Sequence, residues 1–196
     1  MLSDLMIRSY IEHGKLGIRP LSPDTIRENG VDLRFSDAFQ PLKITDAIYD
    51  THVSSTEQNQ FFFEPVIHAD YYDLEPGCAV QIATKEWIDM PADLCGIINL
   101  RSTYARLLTL GSPTVINAGW HGNVVYTLQS PYPHGVRLYK DDRFMHVLID
   151  TLTSTAEKPY DEDGKYQNQD GMVGPRMDVE KKTGRTGPPA VPEKTS

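Results

Sequence analysis

Short runs of β-branched and aromatic residues recur along most of this chain, and Pro or Gly separates many of them. Such runs are typical of β-strands, whereas Pro and Gly are typical of the turns between strands. No long helical pattern intervenes, so a sandwich or barrel-like, mainly β fold is expected. The predicted strands include residues 31–35, 61–63, 79–82, 95–100, 124–126 and 146–149.

The N-terminal stretch departs from this pattern. Ser3 is a residue type that often caps a helix, and Gly14 is the type that often ends one. Apolar residues recur between them at roughly helical spacing, namely Leu5, Met6, Ile7, Tyr10 and Ile11. The sequence therefore predicts a short N-terminal helix.

The acidic charge balance restricts the partners. The chain has 19 Lys and Arg residues against 27 Asp and Glu residues, a formal net charge of -8. A nucleic-acid-binding surface normally carries a basic stripe, so no nucleic-acid partner is expected. A small anionic ligand is still compatible with this composition, because local charge can oppose the net charge.

Targeting and redox signals are also absent from the sequence. The start becomes polar at Ser3 and Asp4, unlike a secretory signal peptide, and no apolar run approaches bilayer-spanning length. We therefore expect a cytoplasmic protein without a membrane partner. Cys78 and Cys95 lie in apolar stretches and are expected to be buried free thiols.

Length and composition indicate one folded domain followed by a tail. With 196 residues, 39% of them hydrophobic, the chain can bury a core without disulfides or metals. From about Val179, charged residues, Gly and Pro predominate and almost nothing apolar is left to bury. We expect a domain over residues 1–178 and a disordered tail over residues 179–196.

Two common kinds of nucleotide chemistry are excluded by motif. A zinc nucleoside deaminase needs H-x-E followed by P-C-x-x-C, because the His and Cys side chains hold the zinc and the Glu moves protons. No His here is followed two residues later by Glu, and the two Cys residues are far apart. A P-loop fails as well, because Gly164 and Lys165 are followed by Tyr166 instead of Ser or Thr.

The first candidate for a ligand site is the arginine segment, residues 101–106, which reads Arg-Ser-Thr-Tyr-Ala-Arg. It follows an apolar strand and is expected to open a short helix. Guanidinium groups from Arg101 and Arg106, with the Ser102 hydroxyl and first-turn amides, suit a phosphate group.

The charge around the arginine segment strengthens this interpretation. No Asp or Glu occurs between Asp93 and Asp141, although the chain as a whole is acidic. That window contains the cations Arg101, Arg106, Arg137 and Lys140. A positive island indicates an anionic ligand, although a buried central sheet would also exclude carboxylates.

Two further segments have the composition of a ligand site. Residues 111–128 read as a strand, a tight turn at Ala118 and Gly119, and a second strand, hence a β-hairpin. Its apolar rim and exposed amides suit the edge of a base, with Trp120 either against the ligand or in the core. Residues 164–171 are polar and flanked by Gly, which is typical of a lid over a ligand or of a plain surface loop.

Together these segments resemble the dCTP deaminase and trimeric dUTPase superfamily, and most closely the dCTP deaminases. The arginine segment is similar to an R-S-S-x-A-R phosphate motif, residues 116–122 to an I-D-x-G-W/Y-x-G hairpin, and residues 165–171 to a K-Y-x-N-Q-x-G lid. The resemblance covers about residues 1–178. It implies a distorted β-barrel or jelly-roll-like subunit of the dUTPase type, and a homotrimer with active sites between subunits.

The resemblance also implies a ligand and the residues that hold it. The ligand is a deoxynucleoside triphosphate, with Mg²⁺ bound through its phosphates and without a metal ligand from the protein. The motifs assign phosphate binding to Arg101, Ser102, Arg106, Lys165 and Gln169. They assign base or sugar binding to Val115, Ile116, Trp120 and Tyr166.

Both carboxylates that the relatives use for chemistry are replaced. Thr127 stands at the position of the general-base Glu of dCTP deaminases, or Gln129 does if the alignment slips by two residues. Asn117 stands where an Asp of dUTPases positions the attacking water. None of these side chains takes up a proton near neutral pH. His121 and the lid residue Asp170 are the local candidates for a substitute base.

Three functions therefore stay open. The first is a dCTP deaminase-like enzyme that converts dCTP to dUTP. The second is a dUTPase-type triphosphate pyrophosphatase. The third is a non-catalytic nucleotide-binding or regulatory homologue. The retained motifs fit all three, and the missing carboxylates favour the third.

Overall fold

The computed structural model describes residues 1–130, 133–160 and 164–177 and confirms a mainly β fold. The helices are α1 (Asp4–Glu12), α2 (Ser55–Phe62) and α3 (Ser102–Arg106). The strands are β1 (Gly17–Arg19), β2 (Ile26–Arg27), β3 (Gly30–Pro41), β4 (Ile67–His68), β5 (Tyr71–Leu74), β6 (Ala79–Asp89), β7 (Leu94–Leu100), β8 (Leu110–Gly111), β9 (Thr114–Ile116), β10 (His121–Gln129), β11 (Val136–Tyr139) and β12 (Arg143–Thr151).

The main sheet runs in the order β8-β10-β6-β3-β12-β7-β9, and strand β3 joins its two halves. The first part of β3 pairs with β12, whereas its second part pairs with β6. The β3–β6 register shifts between Phe35 and Phe39. Such an irregularity bends a strand, so the sheet curls around its core as expected for a distorted barrel or jelly roll.

Aromatic residues fill the space inside the curl. Phe35, Phe39 and Phe144 are fully buried, and the rings of Phe35 and Phe144 stack with centroids 4.0 Å apart. Strand β10 supplies part of this core by alternation: Val124, Tyr126 and Leu128 are buried, while the residues between them are less covered. Val125 and Thr127 therefore lie on the outward face of β10.

An ion pair is enclosed where β3 meets β6. The Arg34 backbone N–H and its guanidinium Nη1 each donate to the Glu86 carboxylate at 2.8 Å. Glu86 is fully buried. Burial raises the pKa of Glu86, and the hydrogen bonds from Arg34 counteract that effect. The ion pair therefore links strand β3 to strand β6.

The predicted N-terminal helix is confirmed. Helix α1 follows Ser3, buries Ile7, and is followed by Gly14 with a φ of 66°. The Ile7 N–H donates to the Ser3 carbonyl at 2.9 Å. The Ser3 side chain itself makes no capping hydrogen bond.

The prediction of a strand over residues 61–63 is wrong. Helix α2 runs through Phe62, and only Phe63 is extended, where it forms a single bridge with Leu42. Three aromatic residues are too short a run to decide a strand, and the Glu and Gln residues before them favour a helix. Phe61 is consequently 55% exposed, whereas Phe63 is buried.

The predicted β-hairpin over residues 111–128 is also wrong, although its turn is present. Strand β9 pairs with β7, whereas β10 pairs with β6 and β8, so the two strands lie in different halves of the sheet. The Trp120 N–H donates to the Asn117 carbonyl at 3.1 Å and closes the turn. The turn thus carries the chain across the curled sheet, and local sequence does not reveal that each strand prefers another partner.

Cys78 and Cys95 are free thiols, as expected, but both are only partly buried. Cys95 lies on the less covered face of β7, between buried Leu94 and buried Gly96. Within the described residues, no helix is long and apolar enough to cross a membrane. The predicted tail, residues 179–196, and the last domain residue, Asp178, lie outside the described ranges.

Candidate functional site

A cavity of about 430 Å³ lies beside β10 and is lined by residues from both of its faces, Val124 and Val125. Its walls come from the β9–β10 connection, from the lid segment (defined as residues 164–171) and from the strap that follows it (residues 172–177). Its lining residues are Gln81, Ile98, Thr114, Val115, Ile116, Asn117, Trp120, Val124, Val125, Tyr160, Lys165, Tyr166, Gln169, Val173, Gly174 and Pro175.

The turn between β9 and β10 is held by the segment that follows β6. The Gly119 N–H donates to the Met90 carbonyl at 3.1 Å, and Gly119 has a φ of 84°. A side chain at this position would also lie 2.7 Å from the Pro159 side chain, so only Gly fits. The turn therefore presents Asn117 and Trp120 to the cavity in one conformation.

Trp120 belongs to both the core and the cavity wall. It is 8% exposed and lines the cavity. Its indole Nε1 donates to the carbonyl of Tyr166 at 2.8 Å. This hydrogen bond ties the turn to the lid segment, and it leaves the ring as an apolar surface of the cavity.

Asn123 holds the lid segment against β10, and sequence analysis missed it. Its backbone N–H donates to the Gln169 carbonyl at 2.8 Å, and its carbonyl accepts from Gln169 Nε2 at 2.7 Å. Its side-chain Oδ1 accepts from the Gly171 N–H at 3.1 Å, while its Nδ2 donates to the Thr84 and Glu86 carbonyls. The available signal was one Asn directly before the apolar run of residues 124–126.

The strap is held by the helix that the sequence did not predict. Asn59 Nδ2 of α2 donates to the Pro175 carbonyl at 2.9 Å, and Asn59 Oδ1 accepts from the Tyr49 hydroxyl at 2.9 Å. The Met177 N–H donates to the Ser55 hydroxyl at 2.5 Å. These contacts place Gly174 and Pro175 as one wall of the cavity.

Seven of the residues singled out from sequence line this one cavity: Val115, Ile116, Asn117, Trp120, Lys165, Tyr166 and Gln169. They come from two segments more than forty residues apart in the chain. The structure therefore brings together the predicted base- and sugar-binding residues and the lid part of the predicted phosphate site.

The arginine segment lies elsewhere. Arg101, Ser102 and Arg106 do not line the cavity, and both Ser102 and Arg106 are exposed on α3. Arg101 Nε lies 3.2 Å from the buried carboxylate of Asp32, and its Nη1 donates to the Arg143 carbonyl at 3.1 Å. Within a single chain, therefore, this segment does not contribute to the cavity lining.

His121 also lies outside the cavity. Its Nδ1 is 3.1 Å from Asp89 Oδ1, the same oxygen that accepts from Trp87 Nε1 at 2.7 Å. Burial of Asp89 opposes ionisation, but the hydrogen bonds from Trp87 and Arg19 outweigh it and lower the pKa of Asp89. His121 faces a separate depression beside Gly119.

Thr127 lies on the outward face of β10 but does not line the cavity. It is half-buried and directly opposite Gln81 on β6. Gln129, two residues further on, is exposed, and so is the lid residue Asp170.

The cavity has little charge. Among its described lining residues none is Asp or Glu, and Lys165 is the one with a charged side chain. Residues 161–163, which are acidic, lie outside the described part. In the described part, no three His, Cys, Asp or Glu side chains come together as a metal site.

Gln81 lines the cavity and is a second functional candidate that sequence analysis missed. It is 9% exposed, and its Oε1 is enclosed without a hydrogen-bond partner among the described residues. Buried polar groups are nearly always paired, so this one needs an explanation. The signal was one polar side chain in the apolar run of residues 79–82.

Comparisons with known proteins agree with the fold and with the family that the motifs resemble. The family described as "dCTP deaminase-like" matches residues 1–152. The dCTP deaminase of Desulfurococcus amylolyticus is 40% identical over 179 residues, which cover 91% of this chain and 96% of the relative. The dCTP deaminase of Staphylothermus marinus is also 40% identical, over 91% of this chain and 99% of the relative.

A solved structure shows the same fold. The 2'-deoxycytidine 5'-triphosphate deaminase from Agrobacterium tumefaciens superposes with a TM-score of 0.60 at 20% identity, over 77% of this chain. The match covers 47% of that protein, so the present chain spans about half of its length. The extent of the family match and the 40% identity of the archaeal relatives establish that the chain belongs to the dCTP deaminase-like family.

Proposed function

We propose that this chain binds dCTP, or a closely related pyrimidine deoxynucleoside triphosphate, in the cavity and turns it over slowly or not at all. One observation carries the proposal: the cavity keeps the apolar turn and the lid of a nucleotide site, but its described lining has no carboxylate. The relatives named dCTP deaminase supply the substrate class.

The shape and chemistry of the cavity support nucleotide binding. Its volume of about 430 Å³ lies within the range of roughly 300–1,000 Å³ that is usual for small-molecule sites. Val115, Ile116 and Trp120 offer apolar surface to a base and a sugar. Lys165 in the lid segment offers a positive charge to phosphates, which require one when they leave water.

The same cavity is poorly equipped for deamination. Water attack on a cytosine ring needs a proton acceptor, and neither Thr127 nor Asn117 is one near neutral pH. Loss of a general base typically costs about 10²–10⁴-fold in rate. We infer that dUTP forms slowly at best. Cleavage of the triphosphate, the dUTPase-type alternative, is disfavoured for the same reason, because Asn117 holds an amide where a carboxylate would position water.

The arginine segment leads to a proposal about assembly. Arg101, Ser102 and Arg106 remain our candidates for phosphate binding, but they lie outside the cavity of their own subunit. We propose a homotrimer in which this segment meets the cavity of a neighbouring copy. Mg²⁺ would then join the site through the phosphates, where it neutralises charge on the triphosphate.

The direct test is incubation of the unmodified protein with dCTP, dUTP and each other dNTP in the presence of Mg²⁺. Calorimetry measures binding, and chromatography separates dUTP, the product of deamination, from the monophosphates left by pyrophosphate release. We expect saturable binding of a pyrimidine deoxynucleotide with little of either product. Absence of binding to every nucleotide would contradict the proposal, and rapid formation of either product would contradict its slow-turnover part.

A further inference from the structure

Gln81 lies on the wall of the cavity, although its neighbours along β6 point into the core. Val80 and Ile82 are fully buried inside the curl. Side chains alternate along a strand, so Gln81 points the other way. Its direct partners across the sheet are Thr127 on β10 and Gln40 on β3. Cross-strand partners are contact neighbours, so Gln81 stands beside the position of the missing general base.

Two buried amide side chains line the cavity, and they differ in their hydrogen-bond partners within the protein. Gln169 is 7% exposed, and its Nε2 donates to the Asn123 carbonyl at 2.7 Å. Gln81 is 9% exposed, and its Oε1 has no partner among the described residues. An enclosed polar group without a partner destabilises a fold, and an apolar side chain of equal size would not. The hydrogen bond of Gln169 therefore explains why an amide side chain is buried at that position, whereas no contact within the described residues explains the buried amide of Gln81.

The surroundings of Gln81 favour the base end of a nucleotide over its phosphate end. The charged lining residue in the described part of the cavity is Lys165, which belongs to the lid segment. The strand residues Val124 and Val125, by contrast, are apolar. Phosphates placed against a buried neutral amide would lose their hydration without gaining a positive charge. An uncharged ring that carries hydrogen-bonding groups at its edge fits there.

We propose that Gln81 is a specificity-determining residue whose side-chain amide pairs with the pyrimidine ring of the ligand, at the edge formed by N3 and the substituent on C4. This inference rests on the proposed function, because it assigns a ring to the cavity. An amide offers one donor and one acceptor side by side, as in the bidentate pairing of Gln with adenine. Cytosine and uracil each present one donor and one acceptor at this edge.

The chemistry of the amide has a consequence for specificity. Cytosine donates from its amino group and accepts at N3, whereas uracil accepts at its C4 oxygen and donates at N3. Rotation of the Gln81 amide about its last bond exchanges its donor and acceptor and matches either pattern. Gln81 therefore binds both the substrate ring and the product ring of a deamination. It discriminates against a ring that lacks a group on C4.

The test is calorimetric titration of the full chain, with Mg²⁺, by three triphosphates: dCTP, dUTP and the deoxynucleotide of 2-pyrimidinone, which has only hydrogen on C4. The variants are Gln81→Leu, Gln81→Met as a second apolar replacement of similar length, and Gln40→Leu as a matched control. Gln40 is the neighbour of Gln81 on β3, does not line the cavity, and donates to the Glu64 carbonyl at 3.1 Å.

We expect both Gln81 variants to weaken dCTP and dUTP binding by about ten- to a hundredfold. The effect on the 2-pyrimidinone nucleotide is smaller, because the C4 contact is already missing. The melting temperature of the ligand-free Gln81→Leu protein stays equal or rises, and Gln40→Leu leaves all three affinities unchanged.

Two outcomes would overturn the inference alone. One is unchanged dCTP and dUTP affinity in both Gln81 variants while the unmodified chain binds. The other is an equal loss for all three nucleotides with a lower melting temperature, which indicates a structural role. If the unmodified chain binds none of the three, the proposed function fails, and this inference fails with it.

Discussion

The lid segment and the arginine segment both resemble ligand-binding motifs, yet their surroundings differ. The lid is held by hydrogen bonds within its own chain: Gln169 and Gly171 bond to Asn123, and the Tyr166 carbonyl accepts from Trp120. The arginine segment has an exposed helix, and its Arg101 is engaged with the buried Asp32. A motif therefore defines the chemistry of a segment, whereas the long-range fold decides which cavity that chemistry serves.

This difference has a physical origin in the sheet. Strands β9 and β10 lie in different halves of the curled sheet. The turn that connects them and the lid segment both line the cavity, so one chain supplies both walls. Helix α3 connects β7, which pairs with β9, to β8, which pairs with β10, yet Arg101, Ser102 and Arg106 do not line the cavity. In the assembly proposed above, the arginine segment of a second copy of the chain would meet this cavity.

The largest expected effect comes from restoring a base beside the cavity. Thr127→Glu places a carboxylate opposite Gln81, and we expect deamination of dCTP to rise by up to ~10²–10⁴-fold. The measurement is the rate of dUTP and ammonia formation. Gln129→Glu is the matched control, because it lies two residues along the same face of β10. A gain with Gln129→Glu and none with Thr127→Glu would move the base position to residue 129.

Asn117→Asp tests the alternative reaction in the same cavity. Asn117 lines the cavity at the turn, so a carboxylate there is placed to position a water molecule. We expect release of pyrophosphate to increase relative to deamination, again by up to ~10²–10⁴-fold. Equal stimulation of both reactions by either substitution would contradict the separate roles assigned to the two positions.

The arginine segment is tested next. Arg106→Ala should weaken triphosphate binding by about 1.5–3 kcal/mol, the usual cost of losing a charge-assisted hydrogen bond. Arg137→Ala is the control, because Arg137 is exposed and its guanidinium is bound to Asp73 at 2.6 and 2.8 Å. Unchanged affinity of the Arg106→Ala protein by calorimetry would remove the segment from the site.

Mixed oligomers of two variants test whether the arginine segment of one copy serves the cavity of another. If the segment serves a neighbour, an Arg106→Ala subunit and a Lys165→Ala subunit, each a weak binder alone, recover some intact sites when they assemble together. A mixture refolded from both variants should then bind more nucleotide than the average of the two. No recovery in mixed oligomers, or a monomer mass by light scattering at micromolar protein, would contradict the proposed trimer.

A smaller effect is expected from loosening the lid. Asn123→Ala removes the side-chain hydrogen bonds to Gly171 and to the Thr84 and Glu86 carbonyls. We expect about a tenfold loss of nucleotide affinity and faster proteolysis near residues 164–171, because lost buried hydrogen bonds cost on the order of 1–3 kcal/mol. Asn99→Ala, exposed on β7, should change neither. An intact affinity in the Asn123→Ala protein would show that the lid does not need its anchor.

The smallest effect concerns acid stability at the Asp89 cluster. The pKa of Asp89 is lowered from 3.8, because hydrogen bonds to its carboxylate outweigh its burial. The ionised Asp89 carboxylate therefore stabilises the folded state above pH ~4, and this stabilisation is lost as the pH falls through the lowered pKa of Asp89 in the folded protein. Melting curves should show that Asp89→Asn destabilises the protein at pH 7 and that the gap narrows below pH 4. A gap that widens on acidification would contradict this direction.

Much of this picture was predictable because it rests on local pattern. Alternation along β10 and the helical spacing from Ser3 to Gly14 gave the correct elements. The motif resemblance also gave seven residues of one cavity. The pairing of β9 and β10 was not predictable, because each strand is held by a distant partner. Gln81 was missed for the same reason: only the folded sheet shows that its Oε1 is enclosed without a partner among the described residues.

The most direct test of the central claim is one side-by-side measurement with dCTP and Mg²⁺. Binding and dUTP formation are followed in the unmodified protein and in the Thr127→Glu variant under the same conditions. The account predicts that both bind dCTP and that the variant forms dUTP faster, by up to ~10²–10⁴-fold. Unmodified protein that already deaminates as fast as the variant would contradict it. Another group, with His121 the first to test, would then be acting as the base.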